Sequence, residues 1–273
     1  MKCIKRINDI VFFSKHSSSN LGKLIDVELS RFAAADSLRT KKGRDHMLII
    51  KGLLGGLFQI ALFAVLLFLP AGTWHWPRAI LFLMVYGLLL LVSTIVLARL
   101  APASLEARLT APIAKSQPMA DRVVTSFLFL SFIAWFVFIP IEVFHLQLLP
   151  PPHFTVSAFG AALFLAGFGI LMTALFQNEF AAPIVKDQSE RGQVLIDTGL
   201  YGRIRHPMYF GFLLFLIGIA LWLESYASVL MLPLVFVFVI ARIFVEEKTL
   251  RETLSGYVEY MAKVRYRLIP FVW

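Results

Sequence analysis

In a chain of 273 residues, 59% are hydrophobic and only 16% charged, a balance that excludes a soluble domain with an ordinary polar surface. The net charge of +9 raises nucleic acid as a partner, but the basic residues lie between long apolar runs and not on one amphipathic face, which argues against it. The one cysteine, Cys3, has no partner for a disulfide and no second ligand for a metal site.

Residues 1–20 are basic like a signal peptide but lack its apolar core and cleavage pattern, so the segment is expected to be retained. Between 21 and 38, Leu21, Leu24, Ile25, Leu29 and Phe32 recur at helical spacing among Lys23, Asp26, Glu28 and Arg31. That pattern fits either a helix lying on the membrane or a solvated lead-in to the first span.

A spanning helix needs about 20 mostly apolar residues, because its backbone polar groups find no water in hydrocarbon. Residues 47–69, 78–98, 123–144 and 154–176 meet that length. The longer run 208–245 is interrupted by Leu223-Glu224-Ser225-Tyr226, which predicts a tight hairpin of two spans with Glu224 at its turn. The expected fold class is an all-α polytopic membrane protein of about six spans. With no internal repeat and no linker long enough to set off a soluble domain, it reads as one domain in three segments. These are an N-terminal segment over 1–46, four spans over 47–177, and a chemically rich region over 178–273.

Lys and Arg collect in cytoplasmic loops. They crowd the N-terminal segment, the loops after the second and fourth spans, and the C-terminal segment, so both termini are expected in the cytoplasm. The site lies on the same side. Trp74 and Trp76 are expected at the outer interface, where amphipathic rings settle. Glu142 and His145 fall near the outer end of the third span and read as interfacial as well. The phenylalanines read as packing and lipid-facing surface.

Two segments concentrate the ionisable groups. The first, 188–211, ends at the start of the fifth span, where Pro207 suits the first helical turn and Arg205 and His206 stand at the helix mouth. Free N–H groups there favour a carboxylate or phosphate. Gly199 and Gly202 permit turns, and Gly211, beside Tyr209, lets a backbone or ligand come close. The second segment, 241–270, carries Arg242 and Glu246, then Glu247 and Arg251, each pair four apart on one helical face. Ionisable groups at this depth usually face the bundle interior, a cavity or a partner. The hairpin turn brings the two segments together.

These residues also carry a family resemblance. Arg191-Gly192, Leu195-Ile196-Asp197-Thr198-Gly199 with Tyr201, and Arg205-His206-Pro207 with Tyr209 and Gly211 stand in order before Glu246-Glu247 with Leu250, then Tyr257, Tyr260 and 265–270. Over 178–273 the chain resembles the isoprenylcysteine carboxyl methyltransferases and their bacterial relatives, a group that extends to phospholipid N-methyltransferases. It departs from them at Gln193, where histidine is frequent, and at Leu200, where proline is.

The resemblance implies methyl transfer from S-adenosylmethionine to a lipophilic acceptor reaching the site from the bilayer, in the inner membrane of a bacterium or the endoplasmic reticulum of a eukaryote. Carried over, His206, Tyr209, Glu246 and Glu247 belong to the cofactor pocket. Gln193, Tyr201, Arg205 and Gly211, from the same matched stretch, are assigned to it too, with Arg242 and Glu246 as the catalytic pair and no metal. Alternatives are amine methylation of a phospholipid, an NADPH-dependent reductase of the sterol type, which would need more phosphate-binding groups, and a transporter. A transporter would place polar groups at mid-membrane depth.

Overall fold

The computed structural model describes residues 20–109, 117–180 and 192–273, without the side chains of 20–25 and 33–45. Eight α-helices are described: α1 (Asn20–Ala71), α2 (Pro77–Leu100), α3 (Pro102–Arg108), α4 (Met119–Ile141), α5 (Phe154–Gln177), α6 (Pro207–Trp222), α7 (Tyr226–Thr253) and α8 (Tyr257–Lys263). A π-helical turn, Glu142–Leu146, extends α4 beyond Pro140. No strand occurs among the described residues.

The chain divides into two compact units, Met1–Leu48 and Ile49–Trp273, with the boundary inside α1. Residues 1–19 of the first unit lie outside the described residues, as do most side chains of the amphipathic stretch at 21–38. Where that stretch is described it is helical, and Phe32 is exposed.

Five helices are long and apolar enough to cross a bilayer: His46–Ala71, Pro77–Leu100, Met119–Leu146, Phe154–Gln177 and Tyr226–Thr253. Pro207–Trp222 is a sixth, shorter apolar helix. The protein is thus an integral, multi-pass helical membrane protein, as the apolar runs predict. Prolines open α2, α3 and α6, where the missing N–H would have no helical partner. The α6–α7 hairpin turns at Glu224, whose φ of +69° is left-handed. Its carboxylate lies 2.9 Å from Arg78 Nε of α2. Ser225 caps α7, its hydroxyl accepting the Ser228 N–H at 3.0 Å.

The core is aromatic. Phe82, Phe136 and Phe164 are fully buried, and Phe63, Tyr86, Phe215 and Trp222 pack around them, with ring centroids as close as 4.5 Å for Phe63 and Phe136. Phe58, Phe127 and Phe129 face outward, so the phenylalanines divide between core and lipid-facing surface. Trp74 is exposed, but Trp76 is buried between Phe68 and Phe144, both edge-on to it, because its ring turns inward to close the end of the aromatic core. Glu142, the first residue of the π-helical turn, is also buried, whereas His145 is exposed.

Helices α5 and α6 pack closely and antiparallel along a seam of four glycines. A Cβ on Gly160 would lie 2.6 Å from Leu221 Cβ, and one on Gly211 2.9 Å from the Gly167 carbonyl oxygen. Cβ atoms on Gly167 and Gly218 would strike backbone nitrogens of Phe215 and Phe164. Small residues let helix backbones approach this closely in a membrane. Helices α4 and α7 form another extensive contact, which brings the start of α4 beside Arg242 of α7.

Candidate active site

The site is built around one fully buried carboxylate, Glu247, on the last turns of α7. Its Oε1 lies 3.1 Å from Arg205 Nη1 and 3.2 Å from His206 Nε2, and its Oε2 lies 3.1 Å from Arg267 Nε. Arg251, one turn on, approaches Oε2 at 3.8 Å. An ionised carboxylate only accepts, so His206 Nε2 carries the proton in this contact. His206 stands before α6 as its N-cap residue, but its side chain makes no capping bond and goes to Glu247 instead.

The C-terminal segment locks the mouth of α6 in place. The Arg205 and His206 N–H groups donate to the Tyr266 and Arg267 carbonyls, both at 2.9 Å, and the Arg205 guanidinium reaches the Arg265 carbonyl at 3.4 Å. The chain then folds back, with Leu268 N–H donating to the Trp273 carbonyl at 2.9 Å. Arg267 lies 5.3 Å from each of the Phe244 and Trp273 rings, within cation–π range. Arg265 itself is exposed.

A second layer steadies the loop before α6. Tyr260 Oη donates to the Tyr201 carbonyl at 2.7 Å, Leu200 N–H to Gln177 Oε1 at 2.8 Å, and Lys263 pairs with Asp197 at 2.9 Å. Burial, with Glu246 nearby, pushes the Tyr201 hydroxyl up; burial, with Tyr201 nearby, does the same to Tyr260. Both remain protonated donors. Arg108, from α3, reaches Met208 Sδ at 3.5 Å, and burial lowers its guanidinium to about 10, still charged at neutral pH.

Beside the Glu247 cluster lies another polar group. Tyr209 Oη donates to Glu246 Oε2 at 2.9 Å. Arg242 turns its Nε toward Asp121 of α4, 3.8 Å from Oδ1. Asp121 is fully buried and accepts from Gln117 Nε2 at 2.7 Å and Thr125 Oγ1 at 3.3 Å.

Of the predicted residues, Arg205, His206, Tyr209, Arg242, Glu246 and Glu247 therefore converge. Tyr201 supports them from the loop. Gln193 lies partly buried in the loop and makes none of these bonds, and Arg191 is outside the described residues. Gly211 needs a different account from a pocket residue: its bare face is filled by the Gly167 carbonyl and by Ile170 and Leu171 of α5. Asp121, Gln117 and Arg108 are additions that the sequence reading had not placed here.

Fold and cluster together define a polytopic helical membrane protein with an ion-paired polar site at one end of its last hairpin. The family model for phospholipid methyltransferases matches residues 155–255, which hold α5, α6 and α7. The chain is 41% identical over 95 residues to the protein-S-isoprenylcysteine O-methyltransferase of Saccharomyces cerevisiae, covering 33% of this chain and 38% of that one. It is 30% identical over 123 residues to protein-S-isoprenylcysteine O-methyltransferase B of Arabidopsis thaliana, covering 44% and 62%. The matched stretch is thus less than two thirds of either relative's length. The resemblance to the isoprenylcysteine carboxyl methyltransferases and the wider phospholipid methyltransferase group is borne out over this C-terminal region.

Proposed function

We propose that the protein is an S-adenosylmethionine-dependent membrane methyltransferase acting on a lipophilic acceptor, with a prenylated cysteine carboxylate as the first candidate. The observation that carries this reading is the charge arrangement around Glu247, where three guanidiniums face one carboxylate. The buried Arg205 Nε has no protein hydrogen-bond partner. Such a group costs free energy unless something accepts from it, and a small carboxylate fits the need.

The donor set suits an amino-acid cofactor. Arg205 and Arg267 would hold its carboxylate and Glu246 its amino group, while His206 and Tyr209, with ring centroids 5.8 Å apart, would form an aromatic wall. S-adenosylmethionine supplies an electrophilic methyl group on a sulfonium, and no proton need be removed from a carboxylate acceptor. The work left to the protein is alignment, water exclusion and charge placement. Arg242 would meet the acceptor's anionic group. The two named relatives are methyltransferases, which favours this reading over a nicotinamide-dependent reductase or a transporter.

Calorimetry with S-adenosylhomocysteine in the presence of EDTA is expected to show binding, weakened at least tenfold by His206→Ala with membrane insertion unchanged. Absence of binding, or binding that EDTA abolishes, overturns the proposal. Membranes incubated with methyl-labelled cofactor should then yield label in the organic phase that base releases as methanol. Base-stable organic label would instead point to a methylated amine headgroup, and label confined to the aqueous phase would defeat a lipophilic acceptor.

We further propose that the site faces the cytoplasm, as do both termini. The distribution of Lys and Arg supports it. Single cysteines placed at Asn20 and Trp273 in a Cys3→Ser background should be labelled from the cytoplasmic side only, and one at Pro151 only from outside. Labelling of the two ends from opposite faces would refute this topology.

A further inference from the structure

At the end of α6 away from the Glu247 cluster, Arg78 and Leu81 of α2 and Phe154, Ser157 and Ala161 of α5 line a groove of about 340 Å³ together with Trp222. We propose that this groove binds one phospholipid of the leaflet opposite the candidate active site. Its headgroup would be zwitterionic, a phosphate joined to a primary ammonium, seated on the Arg78–Glu224 pair, and its acyl chain would lie along the apolar wall. The 16 residues of α6, a rise of about 24 Å, separate this groove from the mouth where His206 stands, so it is not the place where a methyl acceptor reacts.

The groove follows from residue size. Phe154, Ser157, Ala158 and Ala161 recur at the spacing of one helical face, and three of the four are small. Gly160 lets the Trp222 backbone come close to α5, which brings the indole-bearing end of α6 to the same place. Leu81 and Phe154 are exposed, so the groove opens on the lipid-facing surface. Its volume falls at the small end of the roughly 300–1,000 Å³ usual for ligand sites.

The headgroup is read from the ion pair beside it. Arg78 Nε lies 2.9 Å from Glu224 Oε1, and the two side chains are 28% and 27% exposed, within reach of a ligand. Apart from the Phe154 ring, 6.0 Å from the guanidinium, neither charged group meets another partner among the described residues. The contact uses one nitrogen and one oxygen, which leaves the terminal nitrogens of Arg78 for an anion and the second oxygen of Glu224 for a cation. A purely anionic headgroup would be opposed by Glu224, and a choline headgroup has no N–H to donate to it. A phosphate with a primary ammonium meets both through charge-assisted bonds. Ser157, one turn into α5 from Phe154, is fully buried in the groove wall, and its hydroxyl has no hydrogen-bond partner among the described residues. A buried donor left unbonded is costly, and a lipid's ester carbonyl at this depth would accept from it. Charge, hydroxyl and hydrocarbon thus follow one another in the order of a phospholipid from headgroup to tail.

The test is native mass spectrometry of the full chain in detergent, without S-adenosylmethionine, titrated with palmitoyl-oleoyl phosphatidylethanolamine, phosphatidylcholine and phosphatidylglycerol. The ethanolamine lipid should bind at least about fivefold more tightly than either of the others. Arg78→Gln and Glu224→Gln should each bring the three lipids within about twofold of one another. Ala161→Phe, which fills the trough and leaves the ion pair in place, should weaken the ethanolamine lipid about tenfold. Ala158→Leu, at an exposed position on the same face, serves if the phenylalanine variant fails to fold. Equal affinities for the three lipids in the unaltered chain, or tightest binding of phosphatidylglycerol, would overturn the assignment. An ethanolamine preference that survives in a folded groove variant, or in both charge variants, would put that lipid elsewhere, the methyl-acceptor site included, and would overturn it as well.

Discussion

Glu247→Ala is expected to destabilise the protein by about 3–5 kcal/mol, the cost of breaking a buried ion pair by removing one partner. Arg205 is almost fully buried and would be left facing His206 with no carboxylate between them. Arg267 would lose the partner that fixes the end of the chain against α6. Glu247→Gln keeps the shape and one acceptor oxygen, so the smaller loss expected of it separates charge from packing. Denaturation in detergent, paired with S-adenosylhomocysteine calorimetry, reads both effects. An alanine variant with native stability and native affinity would mean that the cluster neither holds the fold nor serves the cofactor.

The second large effect is expected in the α5–α6 seam. Gly218→Ala puts a methyl group against the Phe164 backbone and Gly160 carbonyl, where no side chain can rotate away. Overpacking of this kind costs about 1–3 kcal/mol, and a backbone obstacle places it at the upper end. Gly218→Leu should prevent the two helices from closing. Gly169 is the internal control, because a Cβ there meets nothing within 4 Å. Gly169→Ala should be neutral or stabilising, by up to about 1 kcal/mol from the better helix former. Equal thermal stability for the two alanine variants would show that the seam is not held as tightly as drawn.

The spans were readable from sequence because hydrocarbon demands a length and composition that few other structures share. Met47, Arg78 and Phe154 each mark a run whose helix extends close to where the apolar residues begin. The cluster of Arg205, His206 and Glu247 was readable for a different reason. Pro207 fixes a helix start, Glu224 marks the hairpin turn, and together they fold two distant segments onto each other. The sequence did not tell how Glu246 and Glu247 share their partners: neighbouring residues on a helix point about 100° apart, so one joins Tyr209 and the other the arginines. The burial of Trp76 and Glu142 was not legible, because a position near a span's end does not say which side of the helix faces the core. Asp121 was not singled out from the sequence. A usable signal was present: Asp121 and Thr125, four apart, put polar groups on one face near the start of a mostly apolar helix.

The brevity of α6 bears on how an acceptor meets this site. Its 16 residues rise about 24 Å, whereas the hydrocarbon of a typical bilayer is about 30 Å thick. A helix too short for its membrane is accommodated by local thinning or by polar groups drawn below the headgroups. Arg78 and Glu224 pin one end of α6, and Arg205 and His206 guard the other, so a bilayer spanned by α6 would meet charge close to its acyl chains in both leaflets. On the proposed reading, a molecule anchored by its tail need not be hauled into water to react. Thinning of the bilayer around α6 would then carry the reactive depth down to where that polar end already floats.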